Sequence, residues 1–251
     1  MFFFIMAPLL SYHWRMVIAA VIPALILMWK VYKSDRLEKE SPRLLWKLVL
    51  MGVLSTVIAL VLEWILQALL GLIVPESHPL YNVLLYFVVV GMVEECSKYF
   101  VLKRSTWKLH EFNCQYDGVV YAVFVSLGFA LFENIGYVLR FGFSAAIIRA
   151  LTAIPGHACF GVFMGVFYGL ARGYAYLGER GRSKLMRMLA VIIPTFIHGT
   201  YDYIATIGTG SGEIFFIIFV VILFILSFIL INRMSKNDHY FQIDRYQYFP
   251  F

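Results

Sequence analysis

The sequence predicts an all-α fold, a polytopic transmembrane helix bundle of about seven spans. Three observations lead to this prediction. The chain is 61% hydrophobic and only 14% charged, whereas soluble domains are nearer to about half apolar and about a quarter charged. The apolar residues form runs of about 20, the length that crosses a bilayer as a helix. Lys and Arg gather in alternate connections between the runs, as is typical of membrane proteins.

The predicted spans are separated by short connections that are charged, proline-containing or rich in glycine. They lie at about Met16–Tyr32, Leu48–Val74, Leu80–Leu102, Gly118–Leu139, Arg149–Ala171, Met186–Ile207 and Glu213–Ile231. We expect one integral-membrane domain over residues 1–251, a motif-bearing core at residues 88–205 and a cytoplasmic tail at residues 232–251.

The charges of the connections predict the orientation. Lys30–Lys47 carries six Lys or Arg and Arg172–Arg187 carries five, whereas Pro75–Pro79 and Thr209–Glu213 carry none. Because positive loops stay in the cytoplasm, the N-terminus is expected outside and the C-terminus in the cytoplasm. Met1–Leu10 is expected to be an interfacial or re-entrant piece. If it spans instead, the number of spans becomes eight and the N-terminus moves inside.

Composition also excludes some classes of function. The formal net charge of +6 is explained by topology, so nucleic-acid binding is not expected. The three cysteines, Cys96, Cys114 and Cys159, form no C-x-x-C pair, which disfavours a disulfide framework and a thiolate zinc site. Membrane lipids are the expected surroundings.

Eight ionisable side chains lie within the apolar runs. Charged groups inside a span are costly unless they are paired, hydrated or functional. They are Glu63, Glu94, Glu95, Lys98, Glu133, His157, His198 and Asp202. Most fall near the middle of the membrane, so the sequence predicts a polar site shared by several spans.

The run Glu94-Glu95-Cys96-Ser97-Lys98 is the most specific of these features. Lys98 follows Glu95 by three residues and Glu94 by four, so one helical face can pair ammonium and carboxylate. Adjacent glutamates point about 100° apart, so the second can face another helix. One of them suits a general base. The alternative is an internally neutralised ion pair that only orders the bundle.

His198 and Asp202 are four residues apart and share one face of the sixth span. The aspartate can fix the imidazole tautomer, or the two side chains can hold a metal or a water. Gly199 between them allows another helix to approach closely. A lone buried histidine is usually structural, but His157 offers a second imidazole at a similar depth.

Glu133 and Tyr137 are also four residues apart, which allows a hydroxyl-to-carboxylate hydrogen bond that is either structural or catalytic. Asp117 is expected to cap the fourth span. Glu63 stands alone, either in a structural role or facing a water-filled cavity.

Pro155 and Pro194 lie inside predicted spans, where they are expected to kink the helices. Such kinks could form a wet pocket beside His157 and His198.

Four motifs in order along the chain resemble the PrsW family of bacterial intramembrane proteases, a relative of the CAAX-processing and bacteriocin-immunity proteases. The motifs read Glu94-Glu95-x-x-Lys98, Phe132-Glu133-x-x-x-Tyr137, a mid-span His157, and His198-x-x-x-Asp202. The resemblance covers about residues 88–205. Lys98 departs from the arginine of the broader group and matches the PrsW branch.

The resemblance implies a peptide hydrolase of the bacterial cell membrane. Its substrate would be a single-pass membrane protein such as an anti-sigma factor, cut outside the cytoplasm in regulated intramembrane proteolysis during envelope stress. Glu94 or Glu95 with His157 would activate water, and His198 and Asp202 would stabilise the oxyanion or orient the attacking group.

The expected chemistry uses no metal, since the zincin signature H-E-x-x-H is absent. Zinc stays a possible cofactor, with His157, His198 and Glu95 as its ligands. Lys98, Glu133 and Tyr137 would support the site.

Two other functions compete with proteolysis. A proton-coupled transporter would also bury Glu, His and Asp, although no internal repeat is evident. A membrane scaffold or immunity-like protein could keep the fold without catalysis.

The depth of the glutamates raises a further question. Glu94 and Glu95 are about 13 Å from the cytoplasmic end of their span, yet the implied cleavage is outside. Either a cavity reaches down from the outside, or the predicted span boundaries are displaced.

Overall fold

The computed structural model describes residue 18, residues 21–207 and residues 210–241, and every long element within them is helical. Six helical stretches in these residues are long and apolar enough to cross a membrane, and they match the last six predicted spans. The polytopic helix bundle is therefore confirmed. The helices are α1 (residues 21–34), α2 (Pro42–Ile73), α3 (Leu80–Thr106), α4 (Asp117–Phe141), α5 (Phe143–Leu151), α6 (Ala153–Tyr176), α7 (Arg180–Thr206) and α8 (Ser211–Lys236).

The first span is only partly represented, since α1 covers its second half and Met1–Leu10 lies outside the described residues. Several helices are longer than the apolar runs. The seventh helix begins at Arg180 rather than at Met186, and the eighth continues to Lys236 rather than ending at Ile231. Charged residues can continue a helix beyond the apolar core of the membrane. Hydropathy alone therefore places the start of α7 too late and the end of α8 too early.

Local signals set several helix ends. Ser41 caps α2 by accepting a hydrogen bond from the Leu44 backbone N–H at 3.3 Å, and Pro42 occupies the first turn. Gly142 separates α4 from α5 with a φ of 84°, a conformation that glycine adopts without steric cost.

The predicted fifth span is divided, which the sequence did not indicate. The chain breaks at Thr152, so that a short helix carrying Arg149 precedes the long helix α6. Pro155 consequently falls in the first turn of α6, where a missing N–H is tolerated, and the expected mid-helix kink there was wrong. Pro194 does lie inside α7, and it is buried.

Helix α4 is the most buried of the spans and packs along α2 and α6. Glycines bring these backbones into contact. A Cβ on Gly165 of α6 would lie 2.4 Å from the Val119 Cα, and one on Gly128 would lie 2.3 Å from the Val49 carbonyl oxygen. Close helix contact through small residues is the usual solution in membranes. It brings α4 and α6, which carry Glu133 and His157, side by side.

The segment Leu85–Met92 of α3 is π-helical and ends two residues before Glu94. Single π turns are frequent at functional sites, because they rotate the residues that follow relative to an α-helix. This segment contacts α7 closely: a Cβ on Gly91 would lie 3.2 Å from the Gly199 nitrogen. The predicted close approach at Gly199 is thus observed.

A second group of acids, three of them buried and Asp238 half-buried, joins the connections at the other end of the bundle. We call Asp35, Glu40, Asp117 and Asp238 the linker cluster. The carboxylates of Asp117, Asp238 and Glu40 accept hydrogen bonds from the Asn113, Cys114 and Tyr116 backbone N–H groups and from the Tyr121 hydroxyl.

Asp117 does not cap its own helix as expected. It accepts from Cys114 and Asn113 in the loop before α4, at 2.7 Å and 3.0 Å. Part of the predicted tail also packs here, because the Phe241 N–H donates to the Asn113 carbonyl at 2.8 Å. Residues 242–251 lie outside the described part of the chain.

Candidate active site

The ionisable residues of five helices meet in one buried cluster around a cavity of about 380 Å³. We call this the cavity cluster. Its members are Glu94, Glu95 and Lys98 of α3, Glu133 of α4, Arg149 of α5, His157 of α6, and His198 and Asp202 of α7. All five catalytic residues predicted from the sequence therefore lie within one site, together with Lys98 and Glu133.

Lys98 lies at the centre of the cluster and is fully buried. Its Nζ donates to Glu94 Oε2 at 2.9 Å, to Glu95 Oε1 at 2.8 Å and to His157 Nδ1 at 3.1 Å. The Phe129 ring lies against the same ammonium, at 4.0 Å from its centroid. The predicted pairing of Lys98 with both glutamates is present, and His157 is an additional partner from another helix.

The contact with Lys98 also sets the tautomer of His157. An ammonium can only donate hydrogen bonds, so His157 Nδ1 must accept and the proton of the neutral ring is on Nε2. That N–H then donates to Glu133 Oε2 at 2.8 Å. The His157 ring thus links the central ammonium to Glu133, and neither of its nitrogens is free to take a proton from water.

Arg149 completes this side of the cluster. Its guanidinium lies 3.0 Å from Glu133 Oε2, donates to Asn134 Oδ1 at 3.1 Å, and covers the Tyr137 ring at 3.8 Å. The bond between Tyr137 and Glu133 that their spacing allows is not formed, because His157 and Arg149 bind this carboxylate instead. Arg149 was missed as a site residue, since it precedes the helix break and looked like part of an external connection.

His198 lies between two carboxylates. Its Nδ1 is 3.0 Å from Glu95 Oε1, and its Nε2 is 3.4 Å from Asp202 Oδ2. The ring stacks on Phe160 with centroids 4.6 Å apart. The predicted pairing of His198 and Asp202 is therefore observed, and Glu95 is the partner that the sequence could not identify.

The two glutamates differ in what they face. Glu94 lines the cavity, as do His198 and Asp202, whereas Glu95 does not line it and is fully buried. Glu95 Oε1 is bound by Lys98 and by His198, and its Oε2 has no hydrogen-bond partner among the described residues. Glu94 is thus the carboxylate that a molecule in the cavity would meet.

The cavity also receives Glu63, whose Oε1 is buried without a hydrogen-bond partner among the described residues. Of the two alternatives for Glu63, the cavity-facing one is correct. The cavity continues past Tyr86, Tyr137 and Thr206, towards the helix ends that the loop charges assign to the outside. The cavity thus extends from the glutamates towards the outer side, which supports the expectation that a cavity reaches down to them from the outside.

Three buried groups have the chemistry of metal ligands: Glu94, Glu95 and His157 offer donor atoms that all lie within 4.8 Å of one another. Two of them belong to the predicted zinc set, and Glu94 takes the place of His198 in it. The same three side chains are, however, the three hydrogen-bond partners of Lys98.

Comparisons with known proteins agree with this site. The family model described as PrsW family intramembrane metalloprotease matches residues 40–231. Three relatives, each named Protease PrsW, are similar over most of their length. That of Clostridioides difficile is 34% identical over 81% of this chain and 84% of its own. That of Bacillus subtilis is 31% identical over 75% and 81%, and that of Oceanobacillus iheyensis 29% over 87% and 95%.

No solved structure matches the chain. The chain belongs to the PrsW family. It is an intramembrane peptide hydrolase and a multi-pass protein of the bacterial membrane.

The family description implies a metal, against our expectation of a metal-free site. The donor types would suit zinc, but the ammonium of Lys98 fills the position between them. Glu94 Oε2, Glu95 Oε1 and His157 Nδ1 all accept hydrogen bonds from Lys98 already, so none of the three is left as a ligand where zinc needs three or four. With Lys98 in place, the residues present do not fit a bound metal.

Proposed function

We propose that this PrsW-family protease cleaves a peptide bond of a single-pass membrane protein with a water molecule that Glu94 activates. The observation that carries the proposal is the position of Glu94 on the wall of a cavity that His198 and Asp202 also line. Amide hydrolysis needs a base for water, a donor for the oxyanion and a proton for the leaving nitrogen. These three side chains can supply all of them.

Glu94 would accept a proton as the water oxygen bonds to the carbonyl carbon. Glu95 would hold the His198 ring at Nδ1, 3.0 Å from Glu95 Oε1. The His198 Nε2–H, whose contact with Asp202 is longer at 3.4 Å, would turn to the oxyanion and stabilise it. When the C–N bond breaks, the proton held by Glu94 passes to the leaving nitrogen. The C–N electron pair stays on that nitrogen, and no metal takes part in this sequence.

Glu95, His157 and Glu133 would act through other residues. Glu95 holds Lys98 and His198, and His157 links Lys98 to Glu133, which Arg149 anchors. The resemblance implied that His157 activates water, but both its nitrogens are engaged in hydrogen bonds. We assign it a positioning role instead.

The proposed substrate is an anti-sigma factor cut near the outer side of the membrane, which would begin regulated intramembrane proteolysis. The extension of the cavity towards the outer helix ends supports the side of cleavage. The substrate class rests on the family resemblance. A single transmembrane helix is the simplest substrate that could reach a cavity enclosed by membrane spans.

The test is co-expression with a tagged anti-sigma factor in cells that lack downstream proteases, followed by blotting for a shortened fragment. We expect the wild type to give the fragment, and Glu94→Gln and His198→Ala to lower its rate of formation by at least about 100-fold. Glu38→Gln, in an exposed linker position, is the matched control.

Membrane levels of each variant are measured alongside. A fragment that persists with Glu94→Gln at wild-type membrane levels would remove Glu94 from the mechanism. A fragment that forms without this protein would show that another protease makes it.

A further inference from the structure

We infer that the Lys98 ammonium is the resident cation of the cavity cluster and that it excludes a metal ion from Glu94, Glu95 and His157. The three donor atoms converge within 4.8 Å of one another. Lys98 Nζ lies 2.8 Å to 3.1 Å from one atom of each side chain. The point at which a metal would be ligated is therefore already occupied by a positive charge.

The ammonium is fully used in this position. It has three N–H groups, and each donates to one of the three acceptors, Glu94 Oε2, Glu95 Oε1 and His157 Nδ1. The aromatic face of Phe129 lies 4.0 Å away, which gives the cation a further favourable contact. Lys98 is 0% exposed, so water does not compete for these hydrogen bonds.

A metal would need the same electron pairs. Zinc is ligated by an imidazole nitrogen at about 2.0–2.1 Å, and the Nδ1 lone pair of His157 already accepts from Lys98. The other nitrogen of that ring is 2.8 Å from Glu133. A divalent ion and an ammonium cannot share so small a buried volume, because their charges repel strongly where the dielectric is low. Binding of zinc and retention of Lys98 are therefore mutually exclusive.

The contact between Lys98 and His157 distinguishes this arrangement from an ordinary ion pair within a helix. Pairing at i+3 and i+4 would satisfy Lys98 with Glu95 and Glu94 alone. His157 comes from α6, 59 residues further along the chain, and supplies the third acceptor of the ammonium. This inference rests on the site of the proposed function, but it does not depend on the proposed reaction.

The test is the zinc content of the full-length purified protein, prepared without a histidine tag. Protein in detergent is dialysed against a chelator, then against zinc chloride, and washed before mass spectrometry of the metal. We expect the wild type to retain well under one zinc per chain and Lys98→Met to retain about one. Adding Glu94→Gln to Lys98→Met should remove that zinc. Lys108→Met, an exposed lysine, should behave as the wild type.

Two results would overturn the inference. One is a wild type that holds about one zinc per chain and loses it with Glu94→Gln, since a metal would then displace Lys98. The other is a folded Lys98→Met that binds none. If Lys98→Met does not accumulate, Lys98→Gln replaces it, because its amide still donates hydrogen bonds without a charge. If the zinc contents are as expected but the wild type does not cleave the tagged anti-sigma factor, the proposed function is removed and this inference stays intact.

Discussion

The cavity cluster and the linker cluster are both buried and rich in acids, yet their carboxylates are satisfied in different ways. In the linker cluster, backbone N–H groups and a tyrosine hydroxyl donate to Asp117, Asp238 and Glu40. In the cavity cluster, ionisable side chains do so: the Lys98 ammonium from the same helix, and a guanidinium and two imidazoles from other helices. Backbone donors fix loops in place, whereas ionisable side chains can also exchange protons. A buried acid is therefore not by itself a sign of catalysis.

Cavity size does not separate the two regions either. A larger cavity of about 620 Å³ lies beside Asp238, between Tyr174 and Phe241. Asp238 and His239 are its only lining residues of the Asp, Glu, His, Lys and Arg types within the described part of the chain. The smaller cavity instead brings Glu94, His198 and Asp202 together. The combination of space with groups that hold and move protons identifies the site.

The largest expected difference comes from removing one cation from the cavity cluster and one that lies beside the linker cluster. Arg149→Gln should lower cleavage by about 10- to 100-fold, because Glu133 and His157 lose the anchor that positions them. Lys39→Gln removes an ammonium that binds the Tyr32 and Lys33 carbonyls, and cleavage should stay within about threefold. The amount of cleavage fragment formed, divided by the amount of each variant in the membrane, measures the effects of both substitutions.

Arg149→Lys restores the charge without the guanidinium geometry, so it should recover only part of the rate if Arg149 is a positioning residue. Equal losses for Arg149→Gln and Lys39→Gln would contradict the distinction between the clusters.

An intermediate effect is expected for Asp117→Ala, and it should appear in stability rather than in catalysis. The change leaves the Cys114 and Asn113 N–H groups without their acceptor, which should lower the free energy of unfolding by about 1–3 kcal/mol. Thermal unfolding in detergent gives the size of the effect. Asp117→Asn keeps an acceptor oxygen and should lose less. If Asp117→Ala abolished cleavage at an unchanged Tm, the linker cluster would have a catalytic role.

The smallest effect concerns pH. Burial raises the pKa of Glu40 from 4.5 to about 7, while its hydrogen bond from Tyr121 opposes the rise. The folded protein thus holds this proton more tightly than the unfolded chain. The stability it contributes is fully present below pH 4.5 and is lost as the pH rises through about 7.

Glu40→Gln should therefore flatten the pH dependence of Tm between about pH 5 and 8, and at pH 8 it should be more stable than the wild type by about 1 kcal/mol. Burial raises the pKa of Asp35 as well, to about 6, so some dependence should remain. Glu38→Gln, at the exposed neighbouring position, is the control. Parallel Tm curves for Glu40→Gln and the wild type would show that Glu40 does not carry this effect.

The predictions from sequence succeeded where the interaction is local. Lys98 pairs with Glu94 and Glu95, and His198 with Asp202, because residues three or four apart on a helix are neighbours in any fold that keeps the helix. The same spacing does not produce a bond between Glu133 and Tyr137. Arg149 from another helix binds the Glu133 carboxylate and covers the Tyr137 ring instead. A local spacing predicts what is possible, and a stronger partner from elsewhere can displace it.

The sequence by itself determined six of the membrane spans and every residue of the cavity cluster except Arg149, because apolar length and the cost of a buried charge act on each segment separately. Only the tertiary structure decided that Glu94 faces the cavity while Glu95 is sealed behind it, and that His157 completes the partners of Lys98. These facts depend on how each helix is rotated about its axis. The π-helical turn before Glu94 and the glycine contacts between helices set that rotation, and neither follows from hydropathy or helical periodicity.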